Sequence, residues 1–406
     1  MQNLDFTTLG LLLFVASLVA MLTRRIGMPY SVGLVVAGIA LALLPIGLNL
    51  PLTPELIFQI FLPPLVFEAA IQIPWKPFRK ELPLLLALVT LGVVLAAGTV
   101  AVGMHYVIGW SWIGAALFGV LIAATDPVSV IALFKTVKVP DRLHLLVESE
   151  SLLNDGVAAV GFAVLVVIAA GGDLGVAAIS TKLLTTVVGG IAAGAIVALP
   201  LVLIAGRTSD RLVETTLTVL IAYGSFGLAE HFHMSGVLAA LTAGLIVGNY
   251  GFMGSISDDG RPAVINFWEF AAFLVNSVIF ILIGGREAQQ AFLPVLGAAA
   301  VATLLSLAGR AIAIYPVASL FLPTRFAIPW KYKHVLAWGG LKGALALALA
   351  LALPASIPER AEIITVAFAV VAFSIFIQGL TMQPLMRRLG LIEQGDLSDE
   401  AAKTLH

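Results

Sequence analysis

The chain has 406 residues, of which 60% are hydrophobic and 11% charged, with a mean hydropathy of +1.06 and a formal net charge of -1. An average soluble domain carries roughly 25% charged residues, so this composition excludes a solvated enzyme or binding module and points to a polytopic membrane protein. The chain contains no cysteine, which excludes disulfides, thiolate metal sites and thiol catalysis.

Apolar runs long enough to span a bilayer recur from end to end. They predict thirteen helices, approximately 6–23, 30–46, 54–73, 82–107, 112–136, 143–170, 177–205, 212–231, 234–249, 263–284, 290–321, 332–353 and 360–389. The expected organisation is all-α: one integral membrane domain over 1–392, then a short cytoplasmic tail, 393–406. The first helix has no basic region before it and no small-residue cleavage site, and is read as retained. An odd number of spans puts the termini on opposite sides. One set of loops and ends carries Arg24, Arg25, Lys76, Arg79, Lys80, Lys135, Lys138, Arg142, Arg207, Arg211, Arg261, Arg325, Lys331, Lys333, Arg387 and Arg388; the other carries only Lys182, Arg286 and Arg360. By the positive-inside rule the C-terminus is cytoplasmic and the N-terminus outside.

Two helices are interrupted in a matching way. The fifth contains Thr125-Asp126-Pro127, where proline cannot continue the helical ladder, and the twelfth contains Gly339-Gly340-Leu341-Lys342-Gly343. If helices one to six (about 6–170) and eight to thirteen (about 212–389) are inverted repeats joined by the seventh (about 177–205), these two are counterparts. Broken helices at matching positions of two halves mark the binding site of a transporter.

Carboxylates inside these spans are costly, about 2.5–3.5 kcal/mol each on insertion scales, and so mark ion or proton pathways. At a rise of about 1.5 Å per residue, Asp155 lies roughly 18 Å from one end of helix six and Asp126 roughly 20 Å from the opposite end of helix five. Both reach the middle of a core about 30 Å thick. Around them Thr125, Ser151, Asn154 and Glu150 supply hydroxyl, amide and carboxylate oxygens, and the break frees backbone carbonyls, a set suited to a hard monovalent cation. Matched depth suggests Glu150 with Lys342 as a buried pair, and groups Arg310 with Glu269 and Glu68 as pairs or access-path residues. Glu148, although it shares a face with Asp155, reads as a residue of the cytoplasmic mouth. His231 and His233 read as loop residues, Ser235 has no base placed beside it, and no phosphate-binding Gly-x-x-x-x-Gly-Lys motif is present. No enzymatic activity, cofactor or nucleic-acid partner is expected.

Phe61-Leu62-Pro63-Pro64-Leu65-Val66-Phe67-Glu68-Ala69, Thr125-Asp126-Pro127, Glu150-Ser151-Leu152-Leu153-Asn154-Asp155-Gly156, Phe267-Trp268-Glu269-Phe270, Asn276-Ser277 and Trp338-Gly339-Gly340-Leu341 occur in that order. With them the chain resembles the NhaP-type sodium/proton antiporters, relatives of the eukaryotic sodium/hydrogen exchangers. The resemblance implies a thirteen-helix inverted-repeat fold, a homodimer in the plasma membrane of a prokaryote, and a cation site where helices five and twelve cross. It assigns Asp155 as the cation and proton ligand, with Thr125, Asp126, Glu150 and Ser151 around the ion and Asn154 beside it. Lys342 departs from the family, where arginine is common. Lysine keeps the charge but not the bidentate fork.

The implied activity is exchange of Na+, or Li+ or K+, for protons. A proton and a cation compete for one midplane carboxylate, and the resemblance implies electroneutral one-for-one exchange with a role in pH homeostasis. The alternatives are a K+-selective antiporter and a cation channel, which would use the same oxygen ligands but pass current without a counter-ion.

Overall fold

The computed structural model describes residues 6–26, 28–44, 52–126, 130–131, 133–134, 139–172 and 175–392; Pro127, in the predicted break of the fifth helix, and the tail 393–406 lie outside the described residues. Every regular element among the described residues is helical. In chain order these are α1 (Phe6–Ile26), α2 (Tyr30–Leu43), α3 (Leu56–Gln72), α4 (Trp75–Ile108), α5 (Trp112–Ala123), α6 (Asp141–Ala169), α7 (Val176–Ala205), α8 (Arg211–His231), α9 (Gly236–Asn249), α10 (Gly260–Glu287), α11 (Leu296–Leu320), α12 (Trp330–Trp338), α13 (Ala344–Leu351) and α14 (Arg360–Arg388). Among the described residues nine helices are long and apolar enough to cross a bilayer. Three more, α2, α3 and α5, are shorter apolar helices.

Most boundaries lie within a few residues of the apolar runs, and the differences have physical causes. Helix α4 begins at Trp75 rather than near 82. Its first turns carry the exposed Lys76, Arg79 and Lys80 on one side and bury Phe78 on the other, so they are amphipathic helix rather than loop. Helix α11 starts at Leu296, after a single 3-10 turn at Leu293–Val295. The twelfth predicted helix is two pieces, α12 and α13, separated by residues 339–343.

The chain divides into two compact units, one built from Met1–Thr53, Pro83–Ser151 and Ser277–His406, the other from Pro54–Leu82 and Leu152–Asn276. Each takes chain from both predicted halves. In the first unit α4 packs on α5 and α11, and small residues let backbones touch: a Cβ at Gly119 would lie 2.3 Å from the Ala97 carbonyl oxygen. The contact of α2 with the end of α10 is reciprocal. A Cβ at Gly38 would lie 2.1 Å from the Ile281 oxygen, and one at Gly284 would lie 2.1 Å from the Val35 oxygen. Close approach through small residues is how helices associate where lipid removes the hydrophobic drive between them.

In the second unit α3, α7, α8 and α9 surround a core of Phe67, Ile71, Val202, Ile221, Val247 and Trp268. The rings of Phe67 and Trp268 stand 4.7 Å apart, and the buried Trp268 indole donates to Thr218 Oγ1 at 2.9 Å. Large apolar side chains, Leu184, Val188, Ile191, Leu199 and Leu203 among them, stay exposed along α7, as a lipid-facing surface requires.

Two helix starts share one capping device. Ser111 caps α5, and its N–H and hydroxyl both donate to the Glu359 carboxylate at 2.9 Å, while Gly114 N–H donates to Ser111 Oγ at 3.2 Å. Ser257 repeats this ahead of α10, donating to Glu214 at 3.0 and 2.9 Å and accepting from Gly260 N–H at 3.0 Å. The Ser-x-x-Gly spacing has a steric reason, because a Cβ at Gly114 or Gly260 would run into the carboxylate. Burial pushes the Glu359 carboxyl up, but the hydrogen bonds from Ser111 outweigh it and hold the group below the usual carboxylate range.

Two expectations follow. A methyl at Gly38 overpacks the α2–α10 contact at a cost of about 1–3 kcal/mol, so Gly38→Ala lowers the melting temperature in detergent, whereas Gly98→Ala, where a Cβ meets nothing within 4 Å, leaves it unchanged. Because the folded-state value of Glu359 is depressed, its stabilisation is present above the usual carboxylate value of 4.5 and is lost as pH falls through the lowered one. Thermal melts of wild type and Ser111→Ala should therefore share their neutral-pH plateau shape and differ in slope below about pH 4.5.

Candidate functional site

The described residues of the two interrupted segments, Thr125-Asp126 and Gly339 to Gly343, meet in the first unit. Helix α5 ends at Ala123; Ala124 turns to φ -52°, ψ 142°, and residues 124–126 are not helical. Helix α12 ends at Trp338, and residues 340–343 are unwound before α13 begins. The two unwound strands pair: Asp126 N–H donates to the Leu341 carbonyl at 2.8 Å. A peptide group released by one break is thus satisfied by the other, as any irregular backbone at membrane depth must be.

Charges at the crossing sit on helix ends of opposite sign. The buried Lys342 directs its ammonium to the Ala124 carbonyl at 3.3 Å, at the negative C-terminal end of α5. The half-buried Asp126 carboxylate lies against Gly343, at the positive N-terminal end of α13, close enough that a Cβ at Gly343 would be 2.0 Å from Asp126 Oδ2. Each of the two interrupted segments therefore carries the charge that complements the other's dipole.

Three hydroxyl and carbonyl oxygens converge beside this crossing. Ser151 Oγ donates to the Thr125 carbonyl at 2.7 Å and lies 3.0 Å from Thr125 Oγ1. With the Ser151 proton committed to the carbonyl, Thr125 is the donor to Ser151. Both side chains are buried. On α6, Ser151 and Asp155 are one turn apart on a shared face, and Glu150 and Asn154 on the neighbouring one. Glu150 and Asn154 are buried and Asp155 is half-buried.

The depth pairing of Glu150 with Lys342 is corrected by the geometry. Glu150 takes a bidentate pair from Arg310, both N–O distances 2.7 Å, and both residues are buried. Arg310 also donates to the Leu336 carbonyl from Nε at 3.3 Å and from a terminal nitrogen at 3.0 Å, which ties the pair to the last turn of α12. Gly340 makes the room, since a Cβ there would lie 2.3 Å from Arg310 Nε. The Arg310 guanidinium is occupied by Glu150 and Leu336, and Glu269 is exposed on α10. Glu68 is half-buried on α3 and accepts from Gln72 within its own helix. Glu148 is half-buried with His144 Nε2 at 4.0 Å. Depth along a helix fixes one coordinate; which way a side chain points round the axis decides its partner.

Sequence reading missed Ser374 and Gln378. They are buried on a π-turn of α14, Ser374–Gln378, a local widening found often at functional sites. Ser374 Oγ accepts from Lys342 N–H at 2.8 Å, and Gln378 Nε2 donates to the Trp338 carbonyl at 3.0 Å. The signal was a Ser and a Gln four residues apart in an otherwise apolar run.

Comparison with known proteins places this site in context. The family model described as sodium/hydrogen exchanger, transmembrane, matches residues 11–388. The Na(+)/H(+) antiporter ApNhaP of Aphanothece halophytica is 40% identical over 90% of this chain and 70% of its own length. Na(+)/H(+) antiporter NhaS2 of Synechocystis is 36% identical over 99% of this chain and 74% of its own. Among solved structures, the sodium proton antiporter MjNhaP1 from Methanocaldococcus jannaschii superposes with a TM-score of 0.74 at 20% identity, covering 94% of this chain and 97% of that one. The all-helical fold is thus that of MjNhaP1, and the chain belongs to the sodium/hydrogen exchanger family, among its NhaP-type members.

Proposed function

We propose that the protein exchanges Na+ for protons across a prokaryotic plasma membrane, by competition of the two for Asp155 with alternating access. The observation that carries this reading is the crossing itself. Two broken helices pair through Asp126 N–H and the Leu341 carbonyl and gather the hydroxyls of Thr125 and Ser151 beside acids on a helix of 29 residues. The relatives named as Na(+)/H(+) antiporters support the ion pair exchanged. In this reading the chain crosses the membrane thirteen times as two inverted repeats, with its C-terminus cytoplasmic, and works as a homodimer. Li+ and K+ are candidate alternative substrates, and the stoichiometry is one for one.

Within the site, Asp155 carries the charge that either ligand neutralises, and Asp126, Thr125, Ser151 and Asn154 complete the oxygen set. A proton on that carboxylate removes the attraction for the cation, so competition alone couples the two fluxes. Glu150 enters as the anchor of the broken helix rather than as a cation ligand, because both its oxygens are engaged by Arg310. An unloaded carboxylate is penalised in the dry intermediate between access states, which favours movement only with a proton or a cation bound.

Dye-monitored proton flux in proteoliposomes, with Na+, Li+ and K+ added in turn and the potential clamped, tests the proposal. Wild type is expected to move protons against a cation gradient, and sustained uncoupled current would show a channel instead. Asp155→Asn should insert and fold yet lose cation-driven proton flux; flux at the wild-type rate in that variant would remove the central claim. Removing one partner of the Glu150–Arg310 pair leaves a buried charge unbalanced, at about 3–5 kcal/mol. Arg310→Met should therefore destabilise strongly, and Glu150→Gln added to Arg310→Met should recover much of the loss in melting temperature.

A further inference from the structure

Helices α5 and α13 are joined at both ends. At the crossing, Asp126 lies against the N-terminus of α13 and Lys342 at the C-terminus of α5. At the far ends the partners are two consecutive residues, Glu359 and Arg360. Glu359 accepts the Ser111 N–H and hydroxyl at 2.9 Å, at the N-terminus of α5. Arg360 donates from Nε to the Leu353 carbonyl at 2.8 Å and from a terminal nitrogen to the Leu351 carbonyl at 3.2 Å, at the C-terminus of α13. The two helices pack on each other and run in opposite directions, since α5 ends at the crossing where α13 begins. Four helix termini thus meet four side-chain charges, each of the sign that the dipole there requires.

We infer that the Glu359-Arg360 dipeptide is a clamp that positions the crossing from its far end, and that both are positioning residues for cation exchange without touching the ion. This inference rests on the exchange reading. Helix α5 has 12 residues and so places Ser111 about 18 Å from the crossing. Over that length a helix is stiff, so the angle set at Ser111 fixes where the Ala124 and Thr125 carbonyls lie. Helix α13, of eight residues, carries the Arg360 contact back to Gly343 in the same way. One link of the chain therefore sets the two half-helices in register, with a charge of the sign each far-end pole favours. Neither contact involves the Thr125 or Ser151 oxygens, so the clamp acts on affinity through geometry.

The test uses Glu359→Gln and Arg360→Gln, with Arg360→Lys as the charge-retaining variant, in the full chain. Amide hydrogen exchange by mass spectrometry reads the crossing directly, through the bonded Asp126 and Lys342 N–H groups. Proteoliposome flux gives the apparent cation KM and the maximal rate. The clamp predicts that both glutamine variants speed exchange at the crossing amides about 2- to 5-fold, the range expected for one lost charge–dipole contact. It further predicts a KM raised by a similar factor with a nearly unchanged maximal rate, and partial recovery with Arg360→Lys. Faster exchange confined to the amides of 111–114 or 351–353 would make the residues local caps and overturn the inference. A faster-exchanging crossing with an unaltered KM would overturn their role in exchange. If wild type itself shows no cation-driven flux, the exchange reading fails, and the crossing amides alone decide whether the clamp exists.

Discussion

A peptide group inside a membrane has no water to turn to, and this one constraint organises the first unit. Breaking a helix at membrane depth frees donors and acceptors that cost several kcal/mol each if left alone. Here the two breaks answer each other, Asp126 N–H to the Leu341 carbonyl, and α14 supplies two further partners: Ser374 for the Lys342 N–H and Gln378 for the Trp338 carbonyl. Neither interrupted helix is stable as drawn without the other. The glycines of the second break follow from the same demand, because Gly340 and Gly343 stand where the Arg310 guanidinium and the Asp126 carboxylate must fit.

The Glu150–Arg310 pair shows how a buried ion pair is made tolerable. Desolvating both charges is expensive, and the attraction between them offsets that only with good geometry and further hydrogen bonds. Both conditions hold: the contact is bidentate at 2.7 Å, and two further guanidinium donors go to the Leu336 carbonyl. That carbonyl belongs to the last turn of α12, where a helix end lacks its own donors. The pair thus closes a helix terminus as well as neutralising two charges, and it welds α6, α11 and α12 beside the break.

Much of the architecture was legible in the residues because membrane depth is a one-dimensional problem. Apolar runs fix where spans start and stop, and a breaker beside a charge, Thr125-Asp126-Pro127 or Gly339 to Gly343, fixes where a span is interrupted. What escaped was the second coordinate. Glu150 and Lys342 were matched in depth, but α6 turns Glu150 toward α11, where Arg310 waits. Ser374 and Gln378 escaped because a widened turn alters which residues share a face, and no local residue type announces it. The early start of α4 was hidden for a simpler reason: its first turns are amphipathic, and a search for apolar runs stops where Lys80 begins.

The pairing of Asp126 with the start of α13 and of Lys342 with the end of α5 has an electrical consequence. Two antiparallel half-helices, each pole equivalent to about half a unit charge, meet a whole side-chain charge of opposite sign at all four ends. None of the four poles is therefore left bare to draw a counter-ion to itself.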